Sequence, residues 1–574
     1  MREFIRGGQV FAHGVRMAKQ VLKISCVLSL IVALAWMSID IYQSGFYKDL
    51  YSVFVGMWAK GQMWLPKILG HKAGSYVFYY NFDTQRFQRV LSISFLNSRL
   101  YKASLISILQ YQTILLKGVL SFAGTFFLIV GYFVMRGTKK FTKETLRGGR
   151  VATAKRVQKI LKKDGKASSL KIGDISLVKG SETQHILLCG TSGSGKTTWM
   201  QHLLPEIRRK KQKAIIVDVV GGFVERYYRK GYDVILNPFD QRTAYWTPWA
   251  DMRGEGSIEA ITSAMTSNNA STFSSSSGVF FETTASILLK SLLEKLQADG
   301  HTKNQVLFDK IANATNKDME AYLDGTSGKI LTSPSGKETT LSIRATLLTK
   351  LETLSKLKDR EEKPFSIRDF MEQEDDRCLF LSIPCADHKE ALSTLVATWI
   401  NISVLALMNQ PEDFKRRVWF LIDELASIGK IPSLTDAVTR IRKYGGSVVA
   451  TIQNISQLDK VYGHQDRETL MGNFNTKAIF RATNTTTAEY FSKILGQREH
   501  RRMQENISYG AHQMRDGVSL TETEKLEQLV LPSELMTLND LECYVKLPGN
   551  YPVAKTGVPI KKGKRIARAF EAMK

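Results

Sequence analysis

The sequence predicts an α/β protein: a parallel sheet with helices on both faces, placed behind two membrane-crossing helices. Three observations predict it. Several short apolar runs end in polar residues, as strands buried in a parallel sheet do. One of them, His185-Ile186-Leu187-Leu188-Cys189, enters a glycine-rich stretch and then a helical pattern at Met200, Leu203, Leu204 and Ile207. Two stretches near the N-terminus, Ile24 to Ile39 and Gly118 to Met135, are apolar and free of charge.

A chain of 574 residues is too long for one compact core, so two or three units are expected. With 43% hydrophobic and 23% charged residues it is ordinary globular protein rather than a disordered chain. The net charge of +26 points to a polyanionic partner, nucleic acid or acidic lipid. Twelve Lys or Arg lie between Arg136 and Lys166 against two acids, Glu144 and Asp164. This block follows an apolar stretch, where it can meet anionic headgroups. Lys561, Lys562, Lys564, Arg565 and Arg568 form a second cluster. The five cysteines, Cys26, Cys189, Cys378, Cys385 and Cys543, contain no Cys-x-x-Cys pair. Zinc and disulfide frameworks are therefore not expected, and the main body reads as reduced and cytosolic.

The run Gly118 to Met135 is long enough to cross a bilayer and lacks the polar stripe of a core helix. The run Ile24 to Ile39 is shorter, but Lys23 can snorkel. Ala33-Leu34-Ala35 resembles a cleavage site, yet the leader is long and Trp36 would follow the cut, which favours a retained anchor. Spans are placed at about 22–41 and 117–136 within an N-terminal membrane domain, 1–150. Arg2, Arg6, Arg16, Lys19 and Lys23 precede the first span; Arg136, Lys139, Lys140, Lys143 and Arg147 follow the second. Both flanks are expected in the cytosol, with residues 42–116 outside.

Cys189 leads into Gly190-Thr191-Ser192-Gly193-Ser194-Gly195-Lys196-Thr197-Thr198. Strand, glycine loop and helix in this order make a P-loop. The glycines let backbone N–H groups approach phosphate oxygens, and the helix N-terminus adds positive potential. Lys196 is expected on the β- and γ-phosphates and Thr197 on Mg²⁺. Residues 190–198 are thus the candidate ATP-binding loop. A second strand, Arg417 to Ile422, ends in Asp423-Glu424. Asp423 is expected to hold Mg²⁺ through water, and Glu424 to orient or deprotonate the attacking water. A third strand, Gly446 to Gln453, has a polar end, and Gln453 either senses the γ-phosphate or caps the next helix. A fourth, Lys213 to Asp218, completes the parallel pattern.

With Leu236-Asn237-Pro238-Phe239-Asp240, Asp423-Glu424-Leu425-Ala426-Ser427-Ile428-Gly429-Lys430, Gln457-Leu458, Tyr462-Gly463 and Leu541-Glu542-Cys543-Tyr544-Val545-Lys546-Leu547-Pro548-Gly549, the chain resembles the coupling proteins of type IV secretion and conjugation, the TraD/TrwB class. The resemblance implies a RecA-like P-loop NTPase domain with an inserted all-α domain and an N-terminal two-helix transmembrane domain. It divides the body into 151–242, a helical insertion at 243–374 and a second sheet part with a basic tail at 375–574. The insertion carries the pattern Ala285-Leu288-Leu289-Leu292-Leu293-Leu296 and the polar run Ser267 to Gly278, which reads as a mobile loop. The resemblance further implies a homo-hexameric ATPase in the bacterial inner membrane, with both termini and the ATPase domain cytosolic. Such a ring docks relaxase-bound single-stranded DNA, with relaxosome proteins, on the secretion-channel components and exports it using ATP and Mg²⁺.

The sequence departs from the class in two places. It ends at Lys574 on a basic segment rather than a long acidic tail, and Asp218 is followed by Val219-Val220, which leaves Asp218 open between a functional and a structural role. A ring implies a neighbour's arginine at each site; Arg344, Arg440, Arg442 and Arg481 are the candidates. Other readings share the loop. An FtsK-type pump expects a winged-helix module, for which the stretch after Tyr544 is too short, and an ABC transporter expects a Leu-Ser-Gly-Gly signature, which is absent. A relaxase receptor that binds nucleotide without generating force differs only in lacking DNA-stimulated turnover.

Overall fold

A computed structural model describes residues 2–68, 76–140, 144–267, 276–332, 337–383, 389–508, 517–560 and 563–573. Lys143, Cys385, Lys561, Lys562 and residues 268–275 of the polar run lie outside the described residues, while 276–278 begin a helix. The chain forms two compact units, Met1–Glu144 with Arg501–Glu524, and Thr145–His500 with Lys525–Lys574.

In the first unit, helix Arg2–Ser44 packs along helix Gln112–Lys140. Both run beyond the limits the apolar stretches alone suggest. Candidate spans lie within Val15–Ser44 and Arg99–Met135, whose most apolar windows are only 17% and 11% buried. Such outward-facing apolar surface does not belong to a soluble core. Gly45, at φ +73, ends the first helix and starts Phe46–Ile68. A hairpin of β1 (Tyr76–Asn81) and β2 (Arg86–Leu91) follows. Val55, Ala59, Val77, Phe95 and Tyr101 form a small core there.

The second unit is built on a ten-stranded sheet. The strands after the span are β3 (Glu144–Gly148), β4 (Val151–Thr153), the hairpin β5 (Ala167–Ile172) and β6 (Ile175–Val178), then β7 (Ile186–Cys189), β8 (Lys213–Asp218) and β9 (Val234–Leu236). After a helical stretch come β10 (Cys378–Ser382), β11 (Val418–Ile422), β12 (Gly446–Ile452), β13 (Thr476–Ile479), the arms β14 (Gln497–Ser508) and β15 (Gly517–Gln528), and finally β16 (Glu542–Lys546) and β17 (Val553–Gly557). The large sheet runs β4-β17-β16-β13-β7-β12-β11-β8-β10-β9. From β13 to β9 all neighbours are parallel; β16 joins β13 antiparallel.

Alternation along the strands fills both faces, as a doubly covered sheet requires. In β8, Ala214 and Ile216 pack beneath Met200, Leu203 and Ile207 of helix Lys196–Arg209. Ile215 and Val217 point the other way, into the core that contains Trp399 of helix Lys389–Met408. Every described element between β9 and β10 is helical. There the leucine pattern 288, 289, 292, 293 and 296 is at most 1% exposed, so it serves packing.

His185 enters β7 at φ +60 and is buried. Its Nδ1 accepts the Val448 N–H at 3.1 Å, and its Nε2 lies 2.9 Å from the Val438 carbonyl. One nitrogen accepting and the other donating defines a neutral ring. Burial pushes its pKa down to about 4; the Val438 bond opposes this, and Arg442 adds to it. An unfolded histidine takes a proton near 6.5, the folded one only near 4. The stabilising contribution is therefore complete above 6.5 and lost on acidification. Between pH 7 and pH 5 the native chain should lose about 2 kcal/mol more stability than His185→Gln. Denaturant unfolding at the two pH values checks this, and equal losses would refute it.

Candidate nucleotide-binding site

The loop between β7 and helix Lys196–Arg209 sits at the C-terminal ends of the parallel strands, where such sheets form crevices. Both neighbouring strands hold it. The Gly190 N–H donates to the Ile452 carbonyl at 3.1 Å, and the Thr191 N–H to the Arg481 carbonyl at 2.8 Å. Gly195 has φ +115, and a Cβ there would meet Leu541 at 3.0 Å. At Gly190 a Cβ would stand 2.7 Å from Phe480. Only glycine fits these two positions. Ser194 Oγ donates to the Thr191 carbonyl at 2.7 Å and closes the turn, while Ser192 and Gly193 remain exposed at its tip. Thr198 is half-buried on the first helical turn.

Lys196 is 6% exposed, and its ammonium donates to the carbonyls of Gly190 and Thr191 at 2.5 and 2.9 Å. Burial lowers its pKa, against the pull of Glu424, Cys189 and Asp423. Thr197 Oγ1 lies 3.1 and 3.2 Å from the two oxygens of Asp423. Asp423 is also buried, and Thr451 Oγ1 donates to it at 3.2 Å. Burial raises the Asp423 pKa, while the two hydroxyl bonds and Lys196 lower it.

Glu424 follows in a left-handed conformation, φ 70 and ψ 75. For a residue with a Cβ this costs about 1–2 kcal/mol. Its N–H donates to Thr451 Oγ1 at 2.8 Å, which holds the turn and leaves Glu424 half-buried beside Asp423. Glu424 occupies the cap position of the short helix Leu425–Ser427, and its side chain does not cap it.

The structure thus brings together Gly190 to Thr198, Asp423 and Glu424. Gln453 lies at the end of β12 and is half-buried; Asn454, not Gln453, occupies the cap position of helix Ile455–Tyr462. The Ile455 N–H is satisfied by Thr487 Oγ1 at 3.1 Å, so the capping alternative for Gln453 falls. Asp218 takes the structural role. Its carboxylate accepts the N–H groups of Gly221, Phe223 and Val224, each at 2.8 Å, and starts helix Gly222–Tyr227. Burial pushes it up to about 6 against those bonds. Of the arginine candidates, Arg344 is corrected: it is buried and donates to the Ile311 carbonyl at 2.7 and 3.0 Å, so it cannot reach a neighbour. Arg481 pairs with Asp540 at 2.7 Å, and Arg440 with Asp436 at 3.0 Å. Arg442 is exposed.

The residues fit a nucleotide with a magnesium ion. The loop offers backbone donors and a buried ammonium to phosphate, and Thr197 with Asp423 offers hard oxygen. Among the described residues no cluster of three or more His, Cys, Asp or Glu could hold a metal alone. An ion held by Thr197 and Asp423 would need further oxygen ligands from phosphate and water, which suits Mg²⁺.

Fold and loop together define the class: a nucleotide-binding P-loop NTPase with a parallel sheet core. The family model for the type IV secretion-system coupling protein DNA-binding domain matches residues 169–559, and the chain belongs to that family. It is 31% identical over 452 residues to coupling protein TraD of Escherichia coli K12, covering 77% of this chain and 62% of TraD. It is 22% identical to VirD4 of Agrobacterium fabrum, covering 69% and 61%. The chain thus spans about three-fifths of these relatives. Among solved structures, the unbound conjugative coupling protein TrwBdeltaN70 superposes with a TM-score of 0.67 at 29% identity, covering 75% of this chain and 97% of that one. TrwB in complex with ADP and Mg²⁺ gives a TM-score of 0.66 at 28% identity, with coverages of 75% and 98%.

Thr451 escaped the sequence reading because a β-branched residue inside Ala450-Thr451-Ile452 reads only as strand. Its hydroxyl matters because β12 lies between β7 and β11. Thr451→Val keeps the shape but orphans the Glu424 N–H, at a cost of about 1–3 kcal/mol. It should also weaken Mg²⁺–ADP binding, whereas Thr451→Ser keeps both. Calorimetric titration beside unfolding tests this, and a Val variant that matches the native chain in both would refute it.

Proposed function

We propose that this chain is an ATP-driven motor that recruits relaxase-bound single-stranded DNA, with relaxosome proteins, to a type IV secretion channel and pumps it during conjugation. What carries the reading is the juxtaposition of Lys196, Thr197, Asp423 and Glu424 at one end of the sheet. Backbone donors of residues 190–198 and the Lys196 ammonium bind the β- and γ-phosphates. Thr197 and Asp423 hold Mg²⁺, which when bound neutralises charge on the phosphate oxygens. Glu424 accepts a proton from the attacking water, and Gln453 senses the γ-phosphate. The TrwB complexes with ADP and Mg²⁺ and with a non-hydrolysable ATP analogue support the choice of nucleotide and ion.

A homo-hexameric ring completes each site with a neighbour's arginine; Arg442 and Arg440 remain the exposed candidates. Contacts to DNA are mainly Lys and Arg to phosphate, because a translocating motor must release each register and accept the next.

Lys196→Ala should abolish nucleotide binding and turnover. Glu424→Gln should bind ATP and not hydrolyse it, because the amide takes no proton. Single-stranded DNA should accelerate turnover of the native chain, and its binding should weaken steeply with salt. Equal turnover with and without bound DNA would sink the motor and leave a receptor.

The same reading has the protein in the bacterial inner membrane, crossing it twice, with both termini and the ATPase domain in the cytosol. The basic flanks of the two candidate spans support this orientation. A reporter active only outside the cytosol should work when inserted in the turn between β1 and β2, and fail at the C-terminus. The reverse pattern would overturn the orientation.

A further inference from the structure

A cavity of about 440 Å³ opens at the N-terminal end of the sheet, far from the phosphate loop. It lies between the β5–β6 hairpin, the turn into β8 and the start of β11. Strands of five and six residues separate it from the loop end by about 15–20 Å. Four cations from three separate segments line it: Lys179, Lys210, and Lys415 with Arg417. None forms an ion pair among the described residues. Arg417 spends one nitrogen on the carbonyls of Phe414 and Arg416. The one carboxylate of the lining, Glu182, is 7% exposed and accepts from Ser168 Oγ at 3.0 Å. Four like charges gathered round one cavity repel each other unless an anion sits among them.

The positive surface does not stop at the cavity. Gly165, on its rim, follows helix Ala154–Lys163 by one residue, Asp164. That helix buries Val157 and Leu161 and exposes Lys155, Lys159 and Lys162, spaced along one face, with Lys166 just beyond. The helix adds about 15 Å of positive charge, with no ion pair to these lysines among the described residues. A compact ion would fill the cavity and ignore the helix; an extended polyanion follows both. Trp419, the aromatic of the lining, is 1% exposed and offers no face for stacking bases.

We infer that helix Ala154–Lys163 and the cavity beside it form a track for the phosphate backbone of single-stranded nucleic acid, read without regard to sequence. This rests on the proposed DNA-pumping function and gives it a contact surface that runs back from the end of β4 along the sheet edge to the cavity, which lies at the opposite end of the sheet from the nucleotide. The helix lies outside the residues that match the coupling-protein family model.

The test uses the full chain in detergent. Acylation of lysine amines is followed by mass spectrometry with oligo-dT, with phosphatidylglycerol vesicles, or with inorganic phosphate added. Oligo-dT should protect Lys159, Lys162, Lys179 and Lys415 together. Protection by vesicles and not by oligo-dT would overturn the inference in favour of a lipid surface. Protection of the cavity lysines alone, by phosphate, would reduce the track to a site for a compact anion and also overturn it.

In parallel, Lys162→Glu, Lys179→Glu and Lys415→Glu are combined. DNA affinity should fall at least tenfold and the salt slope should lessen by about 2, the share of three phosphate contacts. Mg²⁺–ADP binding should stay unchanged, which confirms the fold; if it is lost, the acylation pattern of the native chain decides. A native chain that binds no DNA at all refutes the proposed function itself. A native chain that binds DNA, with the triple variant unchanged in affinity and slope, refutes only the track.

Discussion

The site depends on a carboxylate taken out of water. Asp423 is buried at the end of β11, and burial alone favours its neutral form. Two threonine hydroxyls, Thr197 and Thr451, hold it toward the charged state. The sheet order explains why two are needed. β11 is not the neighbour of the loop strand β7; β12 lies between them. Two strand spacings, about 9–10 Å, therefore separate the loop strand from the strand that carries the acid. Thr451 on the middle strand bridges that gap, accepting from Glu424 and donating to Asp423.

The next strand shows how the same residue type does other work. Asp218 ends β8, beside β11, and its charge and that of Asp423 disfavour each other. Asp218 answers with three backbone N–H groups at the start of helix Gly222–Tyr227. The Asp423 carboxylate is held by the hydroxyls of Thr197 and Thr451, which can turn toward a cation or a phosphate. A carboxylate saturated by backbone donors is a fixed structural cap; one held by side-chain hydroxyls can change partners. The distinction lies in the donors and not in the acid.

Much of this was legible in the sequence. The strand, loop and helix around Lys196, the Asp423-Glu424 pair and the four strands read as parallel all stand where local pattern put them, because glycine conformation and strand burial are local properties. The rest depends on neighbours that the sequence does not order. Thr451 and His185 look like ordinary strand residues until β12 is known to lie against β7. Arg344 looks like a surface arginine until the helical region closes over it and the Ile311 carbonyl takes its guanidinium. Gln453 stands between two roles in the sequence because cap position shifts by one residue at a helix start, and Asn454 holds it.

Parallel strands also separate the two kinds of charge. All C-terminal ends from β13 to β9 face one way, so the phosphate loop, Asp423, Glu424 and Asp218 share one end of the sheet. The N-terminal ends carry Lys179, Lys210, Lys415 and Arg417. The acid-rich end suits a small anion whose charge is cancelled by a metal and one lysine; it would repel a bare phosphate chain. The cationic end suits that chain. In the proposed motor the two ligands would therefore not compete, and the strands between them would carry the coupling. β8 and β11 both run the whole way, and at their starts the Trp419 indole N–H donates to Gln212 at 2.8 Å, fixing the two strands to each other beside the cavity. A shift of β11 that moved Asp423 against its threonines would move Trp419 and Arg417 with it, because a packed strand translates as a unit rather than bending within five residues.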